Sequence, residues 1–257
     1  MLRERVADDI YGFTSETYAQ VPAGAVITPE GAILIDTLIF PSETRQIRDF
    51  LEERLNCPVR YVVNTHYHAD HTYGTCFFPK ALVVSHELCR ELLDKRGRAG
   101  LARAKSNTPA LAPVEVVLPT VVFDRGYMNL HLGNKTLGSC NGRNIQPDSI
   151  VCLVEEDGVL FAADTIMPVP YFVDGSYDDF VATLRSLLNH GFENVIQGHG
   201  EVILRGEVDS KIKSDLLYLD TLRNRVFTAF RREDPDKYLE TVTIENCGKS
   251  RIPLNGE

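Results

Sequence analysis

The sequence predicts an α/β fold in which two β-rich blocks are each followed by helices. Residues 10–36 contain short apolar runs separated by Pro and Gly, which is typical of an antiparallel meander. Residues 114–154 contain a second series of short runs rich in Val, Leu and Ile. Amphipathic segments follow each block and predict helices that cover the sheets. With 257 residues and 44% hydrophobic residues, the chain is long enough for one large domain or two small ones.

Local patterns place the elements of the first block. Strands are predicted at residues 17–21, 25–28 and 32–36, and a helix at residues 42–56 that Ser42 could cap. Residues 59–63 are β-branched and aromatic and predict a buried strand.

The middle of the chain begins with a further buried strand. It is predicted at residues 81–84, followed by a helix that Ser85 could cap. His86 falls in the first turn of that helix, where a surface or supporting position is expected more than metal ligation. Residues 96–113 are rich in small and basic residues with little periodicity, so we expect a mobile flap there.

The second block continues in the same way. Strands are predicted at residues 114–118, 121–123, 127–132, 135–138, 149–154, 159–164 and 194–197, and helices at residues 178–190 and 208–231. Residues 167–172, with two prolines and two aromatics, could form a pocket wall or simply a loop packed over the core. The tail after Asp234 carries weak signals and is expected to pack late or to mediate self-association as a homodimer.

Charge and composition narrow the function classes. The formal net charge is −9 and no basic block stands out, which argues against a nucleic-acid substrate. There is no apolar run of membrane-spanning length, and the charged N-terminus is not followed by the apolar stretch of a secretory signal peptide. The six cysteines are scattered without a Cys-x-x-Cys pair. We therefore expect a reduced, cytoplasmic protein that acts on a small molecule, with neither nucleic acid nor membrane as a partner.

The most informative stretch follows the strand at residues 59–63. It contains His66, His68, Asp70 and His71, four potential metal ligands in six residues, just before a turn signal. Alternation along an extended chain lets His66 and His68 point to the same side. Imidazole nitrogen and carboxylate oxygen suit zinc, iron or manganese, and inert burial of four such groups without partners is costly. The cluster therefore predicts a metal site.

This stretch, Thr65-His66-Tyr67-His68-Ala69-Asp70-His71, resembles the signature of the metallo-β-lactamase superfamily of binuclear metallohydrolases. The resemblance covers roughly residues 6–204. It implies one domain over residues 1–257, with residues 205–257 as a C-terminal helix and tail. The implied architecture is a four-layer α/β/β/α sandwich with the metals at one edge, between the two sheets.

The resemblance also implies the distant ligands. Asp164 ends an apolar strand where the family places a bridging aspartate, although Ala163 stands where a glycine is usual. His199, between two glycines, matches the last histidine of the family's metal set. Asp36 matches an aspartate that supports the metal loops, but a loop-capping carboxylate is an equal alternative.

One ligand of the family pattern is missing. The third histidine of the first metal falls at Ile145, and the chain has no histidine between His131 and His190. The first site keeps His66, His68 and a share of Asp164, whereas the second keeps a full family set of Asp70, His71, His199 and Asp164. Cys140 could substitute as a thiolate, but a weaker first metal is the favoured outcome. We therefore expect two zinc sites of unequal affinity, the first incomplete, with iron or manganese as alternative metals.

The resemblance implies a hydrolase that activates water on a small ester, thioester, lactone or lactam, with Asp70 orienting the nucleophile. Two other functions remain open at this point. One is an iron-dependent oxygenase of the same superfamily, and the other is a degenerate metal-binding scaffold without hydrolytic activity.

Overall fold

The computed structural model describes residues 1–141, 148–171 and 175–251, with the side chains of Cys140 and Asn141 left out. Two β-sheets dominate it. The first sheet has seven strands in chain order, β1 to β7, and the second has six in the order β13-β12-β11-β10-β9-β8. The first sheet contains β1 (Leu2–Ala7), β2 (Ile10–Thr14), β3 (Pro22–Thr28), β4 (Gly31–Ile35), β5 (Val59–Val63), β6 (Leu82–His86) and β7 (Val121–Phe123). The second contains β8 (Tyr127–Leu132), β9 (Lys135–Asn141), β10 (Ile150–Val154), β11 (Val159–Ala163), β12 (Asn194–Gln197) and β13 (Ile203–Leu204).

Helices connect and cover these strands. They are α1 (Pro41–Arg48), α2 (Ala69–Thr72), α3 (Glu87–Leu92), α4 (Arg98–Asn107), α5 (Tyr177–Ser186), α6 (Val208–Ala229) and α7 (Pro235–Leu239). A π-type segment, Asp49–Arg54, extends α1, and another, Leu93–Gly97, joins α3 to α4. Among the described residues, no helix is long and apolar enough to cross a membrane.

Strand direction decides where a site can form. β4 and β5 run parallel in the first sheet, and β11 and β12 run parallel in the second. The carboxyl ends of parallel neighbours share one edge of a sheet, where loops commonly carry function. Asp36 directly follows β4, the histidine loop follows β5, Asp164 follows β11 and His199 follows β12.

Alternating side chains divide the interior into layers. Val63 of β5 and Phe161 of β11 belong to a core between the two sheets, together with Ile35 and Ile196. The neighbouring Val62 points the other way and packs with α1 residues such as Ile47.

The second sheet repeats this division. Leu160 and Ala162 of β11 pack outward with Phe180 of α5 and Ile212 of α6. This period-two alternation produces the four layers helix, sheet, sheet and helix that the resemblance implied.

Several predicted elements are wrong in detail. Residues 17–21 form no strand, because the Ser15 hydroxyl accepts the backbone N–H groups of Thr17 and Tyr18 and closes a turn. Residues 114–118 also form no strand. Ser42 does not cap α1, since the helix begins with Pro41 after Phe40. These errors lie in connections and leave the sheet order unaffected.

The segment predicted as a flap is also different. Residues 98–107 form helix α4, and a short 3₁₀ turn, Pro109–Leu111, follows. Leu101 and Leu111 anchor it in a small apolar cluster with Tyr73 and Val114. The helix therefore lies beside the loop that carries the histidines.

Candidate metal centre

The loop after β5 folds so that its polar side chains face the space between the sheet edges. His66 lies in a bend, His68 is the extended residue that precedes α2, and α2 then carries Asp70 and His71. All six residues predicted as ligands come together. They form two groups whose ligand atoms lie within 4.8 Å of one another: His66, His68 and Asp164, and Asp70, His71 and His199.

The first group gathers around one oxygen of Asp164. His66 Nε2 lies 3.3 Å from Asp164 Oδ2, and His68 Nδ1 lies 3.9 Å from the same oxygen. His66 is fully buried, and His68 is about a quarter exposed, with 27% of its side chain accessible. The two imidazoles therefore approach the carboxylate from the buried and the open side of the site.

The second group faces the other oxygen. Asp164 Oδ1 lies 3.3 Å from His71 Nε2 and 3.7 Å from His199 Nε2. Asp70 Oδ2 lies 3.8 Å from His71 Nε2 and 3.6 Å from His199 Nε2. The Asp164 carboxylate thus stands between the two groups, one oxygen toward each.

Backbone geometry explains how Asp164 reaches this position. Ala163 adopts the left-handed region with φ of 46°, which L-residues other than Gly, Asn and Asp rarely occupy. A glycine would adopt this conformation without strain, which accounts for the usual glycine at this position. Gly198 is required for space, because a Cβ there would lie 2.3 Å from Asp164 Oδ1.

A buried carboxylate, Asp36, anchors the histidine loop. Its Oδ1 accepts the backbone N–H of Thr65 at 2.9 Å, and its Oδ2 accepts the Thr65 hydroxyl at 2.8 Å. His71 Nδ1 lies 2.8 Å from the same Oδ2. Because an ionised carboxylate only accepts hydrogen bonds, His71 Nδ1 carries the proton. Asp36 therefore orients His71 and fixes the histidine loop. Of the two roles that the sequence left open, a support of the metal loops or a simple loop cap, the structure favours the support.

The same logic assigns the tautomers of two further histidines. The Thr65 hydroxyl donates its one hydrogen to Asp36. His66 Nδ1, which lies 3.0 Å from the same hydroxyl oxygen, must therefore be the donor of that second hydrogen bond. His199 Nδ1 lies 2.7 Å from the carbonyl oxygen of Ala19, which can only accept. In their neutral forms, His66, His71 and His199 therefore all present Nε2 lone pairs to the interior of the site.

These lone pairs test whether the site suits a metal. His66 Nε2, His71 Nε2 and Asp164 Oδ1 are buried without a hydrogen-bond partner among the described residues. Lone pairs on nitrogen that face carboxylate oxygens repel one another unless protons or a cation lie between them. Orientation of each ring by its other nitrogen is the usual arrangement around a metal. The donor set fits zinc, iron or manganese.

The electrostatics agree with that fit. Burial would raise the pKa of Asp164, but the charges of His66 and His71 outweigh it and hold that pKa well below its usual value. Burial would lower the pKa of His71, but Asp36, Asp70 and Asp164 raise it well above 6.5. The pocket therefore holds negative charge that protons neutralise when no metal does, so a metal must displace protons to bind.

Sequence reasoning assigned no role to Asp148, which is fully buried. Its Oδ2 accepts the backbone N–H of Tyr67 at 2.9 Å and so supports the loop from the side of the second sheet. Burial raises the pKa of this carboxyl. No local signal distinguished it, because the contact joins residues 81 positions apart.

Three other residues with predicted roles have different outcomes. His86 caps α3, where its Nδ1 accepts the N–H of Leu88 at 3.2 Å and its Nε2 lies 3.0 Å from the Asp124 carbonyl oxygen. Both its nitrogens are used, as expected for a supporting residue. Ile145 and the side chain of Cys140 lie outside the described residues, so the predictions made for them remain predictions.

The structure thus combines a four-layer sandwich with two groups of histidine and aspartate side chains around the Asp164 carboxylate. This combination is typical of metal-dependent enzymes with a hydrolase-like fold. The model of the metallo-β-lactamase superfamily matches residues 17–203. The chain therefore belongs to the metallo-β-lactamase superfamily.

One curated relative is similar to most of this chain. A curated relative, 2,4-dinitroanisole O-demethylase subunit alpha from Nocardioides sp., is 27% identical over 186 residues, which is 70% of this chain and 52% of that protein. The chain thus spans about half the length of this relative.

Two solved structures share the fold at low identity. A metallo-β-lactamase from Pontibacter korlensis superposes with a TM-score of 0.69 at 20% identity, covering 84% of this chain and 98% of that one. The stereoselective inverting sec-alkylsulfatase Pisa1 from Pseudomonas sp. gives a TM-score of 0.72 at 18% identity, covering 89% of this chain and 43% of that one.

Proposed function

We propose that this protein is a metal-dependent hydrolase that uses a metal-activated water on a small ester, thioester, lactone or lactam. The observation that carries the proposal is the sharing of the Asp164 carboxylate between two groups of ligand atoms. Membership of a superfamily with a metal-dependent, hydrolase-like fold supports it. The buried, unpartnered atoms of His66, His71 and Asp164 support metal over an inert polar cluster.

We assign the ligands from the two groups. His66, His68 and Asp164 would hold the first metal, and Asp70, His71, His199 and Asp164 the second. Zinc suits this set best, with iron or manganese as alternatives. A divalent metal held there supplies a water of lowered pKa and polarises the oxygen of the scissile group.

The chain's own residues have distinct tasks in this proposal. Asp70 is assigned as the catalytic residue as well as a ligand, because its carboxylate belongs to the second group and can hold the proton of the attacking water. Asp36 and the Ala19 carbonyl keep the His71 and His199 lone pairs pointed inward. These bonds orient the site before substrate arrives, so little reorganisation remains for the reaction.

The two sites are proposed to be unequal. Four side chains serve the second site, whereas three described side chains serve the first, and Ile145 occupies the third histidine position of the family. A site with fewer strong neutral ligands binds its metal more weakly. The second site should therefore fill first.

The direct test compares Asp70→Asn with a matched control, Asp178→Asn, whose side chain is 82% exposed on α5. Both variants, reconstituted with zinc, would be assayed on 4-nitrophenyl acetate, a thioester and a lactone. We expect Asp70→Asn to lose about a hundredfold or more in kcat/KM, with the control unchanged. Equal activity in wild type and Asp70→Asn, or no turnover by the metal-loaded wild type, would refute the hydrolase proposal.

The same preparation separates the two alternatives left by the sequence. An iron-dependent oxygenase would need iron for activity and would consume oxygen with turnover, whereas the proposed hydrolase needs neither. A degenerate scaffold would bind metal and turn over none of the substrates. Metal content, oxygen uptake and ester hydrolysis therefore distinguish all three functions.

The curated relative suggests one additional probe, since its name describes O-demethylation of 2,4-dinitroanisole. Hydrolysis of such an activated aryl ether needs only water and gives a phenol and methanol, so it balances without an oxidant. Release of 2,4-dinitrophenolate by zinc-loaded protein would extend the proposed substrates to aryl ethers. The chain covers 52% of that relative, so this activity is a probe and not the expected main reaction.

A further inference from the structure

A pocket of about 410 Å³ opens directly beside the candidate metal centre. The histidine loop contributes Tyr67, His68 and Ala69 to its lining, and the helical segment after α3 contributes residues 95–97, 99, 100 and 103. His68 belongs to the first ligand group, so the pocket adjoins the candidate metal centre. Its volume suits a small organic substrate.

The charge of this pocket differs from that of the protein. Its lining includes Lys95, Arg96 and Arg103, here called the basic arc, and none of its described lining residues is acidic. The whole chain has 36 acidic and 27 basic residues, so a pocket whose described charged lining residues are all basic differs from the chain average. Clustered charge of one sign at a cleft attracts ligands of the opposite sign.

Helix geometry places the arc over the site. Ala99, Gly100 and Arg103 belong to α4, where positions 99 and 103 share a face, and Lys95 and Arg96 belong to the π-type segment Leu93–Gly97 that precedes it. The small residues in the middle keep this face open beside Tyr73.

Arg103 forms no ion pair with a described residue. No carboxylate lies within ion-pair distance of it among the residues that the structure describes, whereas Arg98 on the same helix pairs with Asp94 at 2.7 Å. Lys95 pairs with Glu91 at 2.9 Å. Arg103 thus has its donors available on the pocket side.

We propose that Arg103, with the rest of the basic arc, binds an oxyanion group of the substrate, such as a carboxylate, while the scissile bond lies at the metal centre. A guanidinium presents a fork of donors that matches a carboxylate in a bidentate manner. This inference rests on the proposed function and adds the substrate class, namely esters, thioesters or lactones that carry a negative charge away from the scissile bond.

The kinetic test uses a pair of substrates and a pair of variants. Zinc-loaded wild type, Arg103→Gln and the control Arg98→Gln would be assayed on neutral 4-nitrophenyl acetate and anionic mono-4-nitrophenyl glutarate. Arg103→Gln should raise KM for the anionic ester about tenfold, leave its kcat within a factor of about two, and leave the neutral ester unaffected. The control should behave as wild type. Equal effects on both esters, or no effect of Arg103→Gln, would overturn the proposal.

A binding test keeps this inference separate from the hydrolase proposal. Titration calorimetry would compare 3-phenylpropionate with its neutral amide on the same three zinc-loaded proteins. We expect the carboxylate to bind wild type and Arg98→Gln equally and Arg103→Gln about tenfold more weakly. Equal carboxylate affinity in all three proteins would overturn it. Absence of ester turnover together with this Arg103-dependent binding would refute the hydrolase proposal and leave the anion site standing.

Discussion

Asp36→Asn removes a negative charge from beneath the candidate metal centre while it keeps the shape of the side chain. The carboxylate accepts three hydrogen bonds, from the Thr65 N–H, the Thr65 hydroxyl and His71 Nδ1–H. An amide has one oxygen and one NH₂ group, so it cannot accept all three. Either orientation of the amide places two donors opposite each other in a position that is 4% exposed.

A change of tautomer at His71 would remove the contact between two donors in this variant. Its Nδ1 would then accept from the new amide and its Nε2 would carry the proton, pointing a hydrogen at Asp164 instead of a lone pair. Metal binding at the second site would have to reverse this change. Loss of such an orienting group typically costs 10- to 100-fold in metal affinity, and a buried unsatisfied donor costs about 1–3 kcal/mol of stability.

The assay measures both quantities in one preparation. Denaturant unfolding of the metal-free protein should show a loss of about 1–3 kcal/mol, and zinc titration should show the tighter site weakened by roughly 10- to 100-fold. Asp178→Asn, which removes an exposed carboxylate, serves as the control. Unchanged stability together with unchanged zinc affinity in Asp36→Asn would refute the role given to Asp36.

Three further perturbations test other parts of the site. Gly198→Ala would place a Cβ 2.3 Å from Asp164 Oδ1, so we expect a loss of about 1–3 kcal/mol and weaker zinc binding by calorimetry, whereas Gly12→Ala, with its nearest contact at 3.6 Å, should retain zinc affinity. Ala163→Gly relieves the strained φ but adds freedom to the unfolded chain, so stability in urea should change by less than about 1 kcal/mol with zinc binding kept. Because the pKa of His71 is raised in the fold, protonated His71 stabilises the metal-free protein below pH 6.5, and this contribution is lost as pH rises through the raised pKa. Zinc must displace this proton, so the zinc-induced gain in Tm should grow between about pH 6 and pH 8. A Gly198→Ala protein with wild-type affinity, a large loss in Ala163→Gly, or a zinc-induced gain that falls with pH would each contradict the corresponding argument.

The sequence specified the local part of the site well because its ligands lie close together in the chain. His66, His68, Asp70 and His71 follow a strand, Val59–Val63, that the structure confirms. Asp164 and His199 came from the family resemblance, and parallel pairing of β11 with β12 brings their strand ends together. Local pattern thus predicted the first four residues, and the family resemblance supplied the other two.

Contacts between distant residues could not be predicted in the same way. The Ala19 carbonyl that orients His199 is 180 positions away, and the hydrogen bond from Tyr67 to Asp148 spans 81 positions. Such partners depend on how the two sheets pack, which no short pattern encodes. The role of the Thr65 hydroxyl, which joins Asp36 to His66, was not predicted either, because a threonine at a strand end is too common to indicate a function.

Periodicity failed where a segment has little apolar contrast. Strand β1, Leu2–Ala7, was not predicted because it lies at the sheet edge and four of its residues are exposed. Helix α4 was predicted as a flap because Gly100 and its alanines give no apolar stripe, with Leu101 as its buried residue. This error concealed the pocket wall, since the basic residues acquire a common face only on a helix.

The metal stoichiometry of the purified protein decides whether the two ligand groups form two unequal metal sites. Metal-free protein would be titrated with zinc by calorimetry, and bound zinc measured by elemental analysis after dialysis against a weak chelator. We expect two unequal steps of zinc binding, of which His199→Ala abolishes the tighter one, and about one zinc ion per protein molecule retained after dialysis. Two equally tight sites would contradict the inequality of the two groups, and no retained zinc would contradict the metal centre itself.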